Sequence, residues 1–209
     1  MTNSEQSILR DKILEASREM LIAEGYRNLS MRKIAAEAGI TATSIYLHFK
    51  NKDHLLHTLM DESIQELNER LESVASKVSE PVHRLEEMAR EYIRFAYQNP
   101  QKYQIIYWVR GEEMKRYPRE KFRAARRGYH ILEDAIREAN DQGIIEEVNP
   151  HIAAYVIWAE LHGVMSVVLS KRLDVRIDTQ AFLDEALEHV INGFKVKYTI
   201  SDKSGKNSL

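Results

Sequence analysis

Apolar residues recur along this chain at helical spacing, and no stretch alternates as a strand would. In the segment leading to Gly25, Ile13, Ala16, Met20 and Ala23 share one face, flanked by Leu14 and Leu21, and Gly25 is placed to stop the helix. Two short pieces follow, "SMRKIAAEAG" and "ITATSIYLHF", joined through Gly39. Beyond them Met60, Ile64, Leu67, Leu71, Val74 and Val78 step by four and three along one long helix, a narrow apolar seam that Ser79 to Pro81 ends.

Further helices are predicted at about 82–98, 100–109, 118–142, 150–171 and 178–198. Leu85, Met88, Tyr92 and Phe95 form one face of the first of these. Pro100, Pro118 and Pro150 each sit where a first turn tolerates a missing N–H, and Gly143 sits where a C-cap belongs. The pattern predicts an all-α chain of about nine helices. Its expected domains are residues 1–52, 53–200, and a polar tail, 201–209, with nothing to bury.

Composition narrows the possibilities. With 209 residues, 44% hydrophobic and 30% charged, the chain can bury a core. It has no cysteine, which removes disulfides, thiol nucleophiles and cysteine-bound zinc and suits a reducing cytoplasm. The N-terminus "MTNSEQSILRDK" lacks an apolar signal core, and the longest unbroken apolar run is Ala153 to Ala159, short of the ~20 residues a bilayer crossing needs. A cytoplasmic protein with no membrane partner is expected. Net charge is −2, but residues 1–52 hold 8 basic and 6 acidic side chains, so a small basic surface near the N-terminus is permitted.

Candidate chemistry concentrates between Ser30 and Leu56. Ser30 can cap a helix that turns Ile34, Ala35 and Ala38 inward. Gly39 supplies the left-handed corner, Ile40 anchors it, and Thr41 caps a second helix. Two short helices around such a turn make a helix-turn-helix, whose second helix can enter the DNA major groove. At about 100° per residue, with Ile45 inward, Phe49 also points in and Thr43, Ser44, Tyr46 and Leu47 point out or to the flanks. These short polar groups, an apolar tip and a phenol suit base edges, a thymine methyl and a phosphate. Asn51 is a good cap for the next helix, yet Lys50 and Lys52 put positive charge at its N-terminus against the macrodipole. A backbone phosphate would satisfy both lysines and the helix end.

The residues "LSMRKIAAEAGITATSIYLHFKNKDHLL" resemble the DNA-binding segment of TetR-type transcriptional regulators, over roughly residues 10–60. By position the resemblance implies phosphate contacts from Ser30, Tyr46, His48 and Lys52, and base reading from Arg32, Ala42, Thr43, Ser44 and Leu47. At Ala42 the family often carries a longer polar residue. The resemblance also implies an all-helical C-terminal domain, a homodimer on double-stranded DNA, and control by a small-molecule effector. "WAELHG", Trp158 to Gly163, resembles the Trp-x-x-x-His-Gly pattern of one subset of these C-terminal domains.

The second half offers less specific chemistry. Aromatic residues from Tyr92 to Trp108 are ordinary core or the wall of an apolar ligand cavity. With the family's pocket in view, Met88, Tyr92, Phe95, Tyr107, Trp108, Trp158 and His162 are its expected lining, although Trp158 and His162, four apart on an apolar helix, also suit a core or interface. Val156, Ile157, Val164, Val167, Val168, Phe182, Leu183, Leu187 and Val190 offer apolar surface for a four-helix dimer interface. His54 and His57 share a face without a third metal ligand, and the neighbouring acids Glu86/Glu87, Glu112/Glu113 and Glu146/Glu147 diverge on a helix. No cofactor, metal site or catalytic residue is expected. The expected function is a DNA-binding regulator, a repressor released from a palindromic operator by its effector. The alternative is a helical small-molecule-binding or enzymatic protein with no DNA role.

Overall fold

The computed structural model describes residues 3–108, 121–145 and 147–198. Pro118, Glu112, Glu113, Glu146 and the tail from Ser201 lie outside the described residues. Ten helical segments and no strand occur among the described ones: α1 (Asn3–Asn28), α2 (Met31–Glu37), α3 (Ala42–Ile45), α4 (Lys52–Ala75), α5 (Pro81–Gln98), α6 (Pro100–Tyr107), α7 (Phe122–Ala125), α8 (Arg127–Asp141), α9 (Pro150–Leu169) and α10 (Thr179–Tyr198). By internal packing the chain divides into two compact units, Met1–Glu66 with Asn99–Ala125, and Leu67–Gln98 with Arg126–Leu209. The expected boundary at residues 52/53 coincides with the first turn of α4, whereas the units part at Glu66/Leu67 within that helix.

The first unit is built around one apolar cluster. Ile13, Leu14 and Leu21 of α1 meet Ile34 and Ala35 of α2, Ile45 and Phe49 around α3, Leu55, Leu56 and Leu59 of α4 and Ile105 of α6. The inner face of α1 differs from the expected one: Ala23 is exposed, and Ser17 takes a core position instead. That position tolerates a serine because its hydroxyl donates to the Ile13 carbonyl at 2.6 Å, so no polar group is left unsatisfied. Gly25 does not end α1. It interrupts the helix with φ +76° and ψ 170°, and helical structure resumes to Asn28.

In the second unit α5, α8, α9 and α10 pack on one another. Leu85, Met88, Tyr92 and Phe95 are all buried on α5, as their spacing predicts. Helix α4 stops at Ala75, short of Val78, where the Lys77 N–H turns to Val74 O at 3.0 Å, and the Arg84 guanidinium donates to the following carbonyls, Val78 O at 2.8 Å and Ser79 O at 2.9 Å. Pro81 opens α5 rather than closing α4. The helix expected over 118–142 is split, in its described part, by Arg126, whose φ and ψ of −91° and 3° leave the helical region.

Gly128 sits one residue into α8, where a backbone N–H has no intrahelical acceptor. It donates at 3.0 Å to Oδ1 of buried Asn68 on α4. A Cβ at Gly128 would lie 2.9 Å from that oxygen and 3.1 Å from Leu71 Cδ1, so a larger residue would have to push both side chains aside.

Helix α9 carries three stripes. Ala153, Ala154, Ile157, Leu161 and Met165 are buried. Ile152, Val156, Ala159, Gly163 and Val167 are exposed. Between them run His151, Tyr155, Trp158 and His162. Although its longest unbroken apolar run is short, α9 as a whole has the length and composition of a bilayer crossing; its buried stripe packs within the second unit. Ile157, Leu183, Leu187 and Val190, expected on an intersubunit surface, are instead buried within the protomer, because α9 and α10 spend those faces on each other and on α5.

Replacing Gly128 by Ala should destabilise the chain by about 1–3 kcal/mol, through overpacking against Leu71 and loss of the Asn68 bond. Chemical denaturation measures this directly, and an unchanged midpoint would show that α4 and α8 can move apart at no cost.

Candidate nucleic-acid interface

The corner between α2 and α3 forms from local chemistry. Ser30 Oγ accepts the Lys33 N–H at 3.2 Å and starts α2. Gly39 has φ +69°, the left-handed conformation that glycine adopts without strain, and Ile40 N–H reaches back to Ala35 O at 2.9 Å. Thr41 Oγ1 accepts the Ser44 N–H at 3.1 Å and starts α3. The Ser44 hydroxyl lies 2.8 Å from that of Thr41, so it belongs to the cap as much as to the outer face.

Helix α3 is only four residues long, and Tyr46 to His48 continue it as a turn. Such a segment cannot hold its own shape, since isolated helices shorter than ~12–15 residues are marginal in water. It is pinned from below by Ile45 and Phe49, at 0% and 1% exposure, while Tyr46 and Leu47 are 56% and 80% exposed. Ala42 and Thr43 are also exposed, Ser44 and His48 are half-buried, and Arg32 lies exposed on α2. The outward face expected from the sequence is therefore the face presented to solvent.

At the start of α4, Asn51 Oδ1 accepts the His54 N–H at 2.8 Å, the cap its position predicts. His54 returns the interaction, its Nδ1 accepting the Lys50 N–H at 3.2 Å, and its ring lies against Phe49. Lys50 is exposed. Lys52 is half-buried: its ammonium donates to Tyr26 O at 3.1 Å and sits 3.8 Å from the centre of the Tyr26 ring. Asp53, also in the first turn, partly offsets the two lysines at this helix end. Tyr26 carries no sequence signal of this role beyond being an aromatic residue just after a glycine.

The expected ligand-lining residues are divided between the two compact units. Met88, Tyr92 and Phe95 lie on the buried face of α5. Trp158 and His162 stack on each other, with ring centres 5.1 Å apart, in an aromatic row with Tyr129 and Tyr155, and burial lowers the His162 pKa. Tyr107 and Trp108 belong to the other unit, beside Tyr103. A groove of about 430 Å³ between α5 and α10 is lined by Arg90, Ile93, Arg94, Tyr97, Leu183 and Leu187, none of them in the expected set.

The bond from Lys50 requires an unprotonated Nδ1 on His54. Burial, and then the charges of Lys50, Lys121, His57 and Arg10, lower the His54 pKa below the ordinary value of 6.5. The unfolded chain thus takes up this proton first as pH falls. The associated stability is complete above about pH 6.5 and is lost on acidification towards the folded-state pKa. Replacing His54 by Gln, which offers an acceptor that does not titrate in this range, should reduce the acid-induced loss of stability. An NMR titration should place His54 below 6.5, and a value at or above it would remove the basis for this expectation.

Residues 13–59 match the family model described as bacterial regulatory proteins of the tetR family, and residues 85–190 match the tetracyclin repressor-like C-terminal domain. The chain is 23% identical over 188 residues to the fatty acid metabolism regulator protein of Bacillus subtilis (strain 168), covering 89% of this chain and 95% of that protein. The fatty acid degradation regulator FadR from Bacillus halodurans shares the fold with a TM-score of 0.71 at 19% identity, over 87% of this chain and 94% of that one. AibR, solved in complex with isovaleryl coenzyme A and operator DNA, aligns with a TM-score of 0.66 at 25% identity, over 86% and 96%. With both halves matched and the outward-facing recognition segment in place, the chain belongs to the TetR family of transcriptional regulators.

Proposed function

We propose that this regulator binds a twofold-symmetric operator as a homodimer, acts as a repressor, and is released by an acyl thioester held in its C-terminal half. The observation that carries the DNA reading is the anchored segment itself. Full burial of Ile45 and Phe49 beneath exposed Thr43, Tyr46 and Leu47 fixes an outward face beside Lys50 and Lys52. Tyr46, His48, Lys50, Lys52 and the capping Ser30 are assigned to phosphates, and Arg32, Ala42, Thr43, Ser44 and Leu47 to base edges. Residues 1–52 form the DNA-binding part and residues 53–200 the effector and dimerisation part.

One copy of α3 spans too few base pairs to select an operator, and pairing two copies across a twofold axis supplies the rest. The exposed stripe of α9 is the surface assigned to the second copy, because Ala159 and Gly163 at its centre let two backbones approach. Its flanking Ile152, Val156 and Val167 are exposed apolar side chains. Such a protein works in the cytoplasm, where its DNA lies, and needs no catalytic residue. The effector class rests on the relatives, two named for fatty acid regulation and one solved with isovaleryl coenzyme A. Helix α4, which runs unbroken from Lys52 to Ala75, is the element assigned to carry the effector's influence to Lys52.

Lys52→Ala should weaken binding to specific and random duplexes alike and flatten the salt dependence, whereas Thr43→Ala should change which operator is preferred. Gel shifts with a duplex selected from a random library separate the two, and equal effects of both variants on both duplexes would reject the assignment of roles. Acyl-CoA esters of short branched and long chains should lower operator affinity by roughly 5–150-fold, a typical allosteric coupling. Free coenzyme A should not. Operator affinity unmoved by every ester would overturn the effector class and leave the DNA reading standing.

A further inference from the structure

Tyr26, at the end of α1, makes three contacts with the start of α4 that the DNA-facing segment does not explain. Its ring lies 3.8 Å beneath the Lys52 ammonium, its carbonyl accepts that ammonium at 3.1 Å, and its hydroxyl donates to Asp53 Oδ1 at 2.9 Å. The chain reaches this position through Gly25, whose φ of +76° breaks the helical path just before it. Lysine is among the side chains with the most rotamer freedom to lose on binding, and these contacts restrict that freedom beforehand.

We propose that Tyr26 is a positioning residue for operator binding, holding the Lys52 ammonium where it meets a backbone phosphate. An ammonium has three N–H donors, and the Tyr26 carbonyl takes one, leaving two for phosphate oxygens. The ring attracts the cation from one side without neutralising it. The hydroxyl occupies the Asp53 carboxylate, the competitor for Lys52 that is adjacent in sequence. Rotamer entropy is thus lost on folding rather than on binding, which strengthens the complex without any new contact to DNA. The proposal rests on the assignment of Lys52 to a phosphate.

The test is a double-mutant cycle on the full chain, read by fluorescence anisotropy with a duplex selected in vitro. Tyr26→Leu should weaken binding roughly 3- to 10-fold per half-site. Tyr26→Phe, which keeps the ring but frees the Asp53 carboxylate, should weaken binding by less than Tyr26→Leu. In a Lys52→Gln background, Tyr26→Leu should add nothing, because its effect acts through the missing ammonium. An additive loss there would mean that Tyr26 is merely structural and would overturn the proposal alone. No effect of Lys52→Gln by itself would overturn both the proposal and the phosphate assignment beneath it. Should Tyr26→Leu fail to fold, NMR decides: the Lys52 ε-methylene protons should be shifted upfield by the ring in the unbound wild type and in Tyr26→Phe, and ordinary shifts would reject the cradle.

Discussion

Everything that this chain can do to DNA depends on two buried side chains beneath a segment too short to stand alone. Ile45 and Phe49 are withdrawn from water while the residues between and before them are not, and burial of such side chains contributes about 1.5–3 kcal/mol each. That energy holds a four-residue helix and its trailing turn in one orientation. The caps at Ser30 and Thr41 and the left-handed Gly39 define where the segment begins, but they would leave it free to rock without these anchors. Local hydrogen bonds set the path of the chain, and apolar burial sets its orientation.

The opening of α4 shows how the same unit resolves a conflict of charge. Two lysines at a helix N-terminus oppose the backbone dipole. The structure meets this with neutral and acidic partners: the Asn51 side chain as cap, unprotonated His54 as an acceptor, Asp53 in the first turn, and the face and carbonyl of Tyr26 under Lys52. Positive charge is tolerated there without being cancelled.

What the sequence makes legible follows from how far a contact reaches along the chain. The caps at Ser30, Thr41 and Asn51, the corner at Gly39 and the buried face of α5 are local, within four residues or one helical period, and the spacing reveals them. Tyr26 and Lys52 are 26 residues apart, and Asn68 and Gly128 are 60 apart; nothing in either neighbourhood announces its partner. The inner face of α1 was displaced from its expected position because a serine can be buried by bonding to its own helix, which a hydrophobic pattern cannot register. Periodicity identifies which residues share a face, but not which faces meet. That is why the spacing alone places Met88, Tyr92 and Phe95 on one face of α5, while their grouping with Trp158 and His162 comes only from the family's pocket.

Helix α9 joins its three stripes in one stiff rod. Its inner row is locked among neighbours, its aromatic row leans on Tyr129, and its outer row faces away with Ala159 and Gly163 bare. The three rows share one backbone, so a rigid shift of α9 that repacks the aromatic row carries the bare row with it.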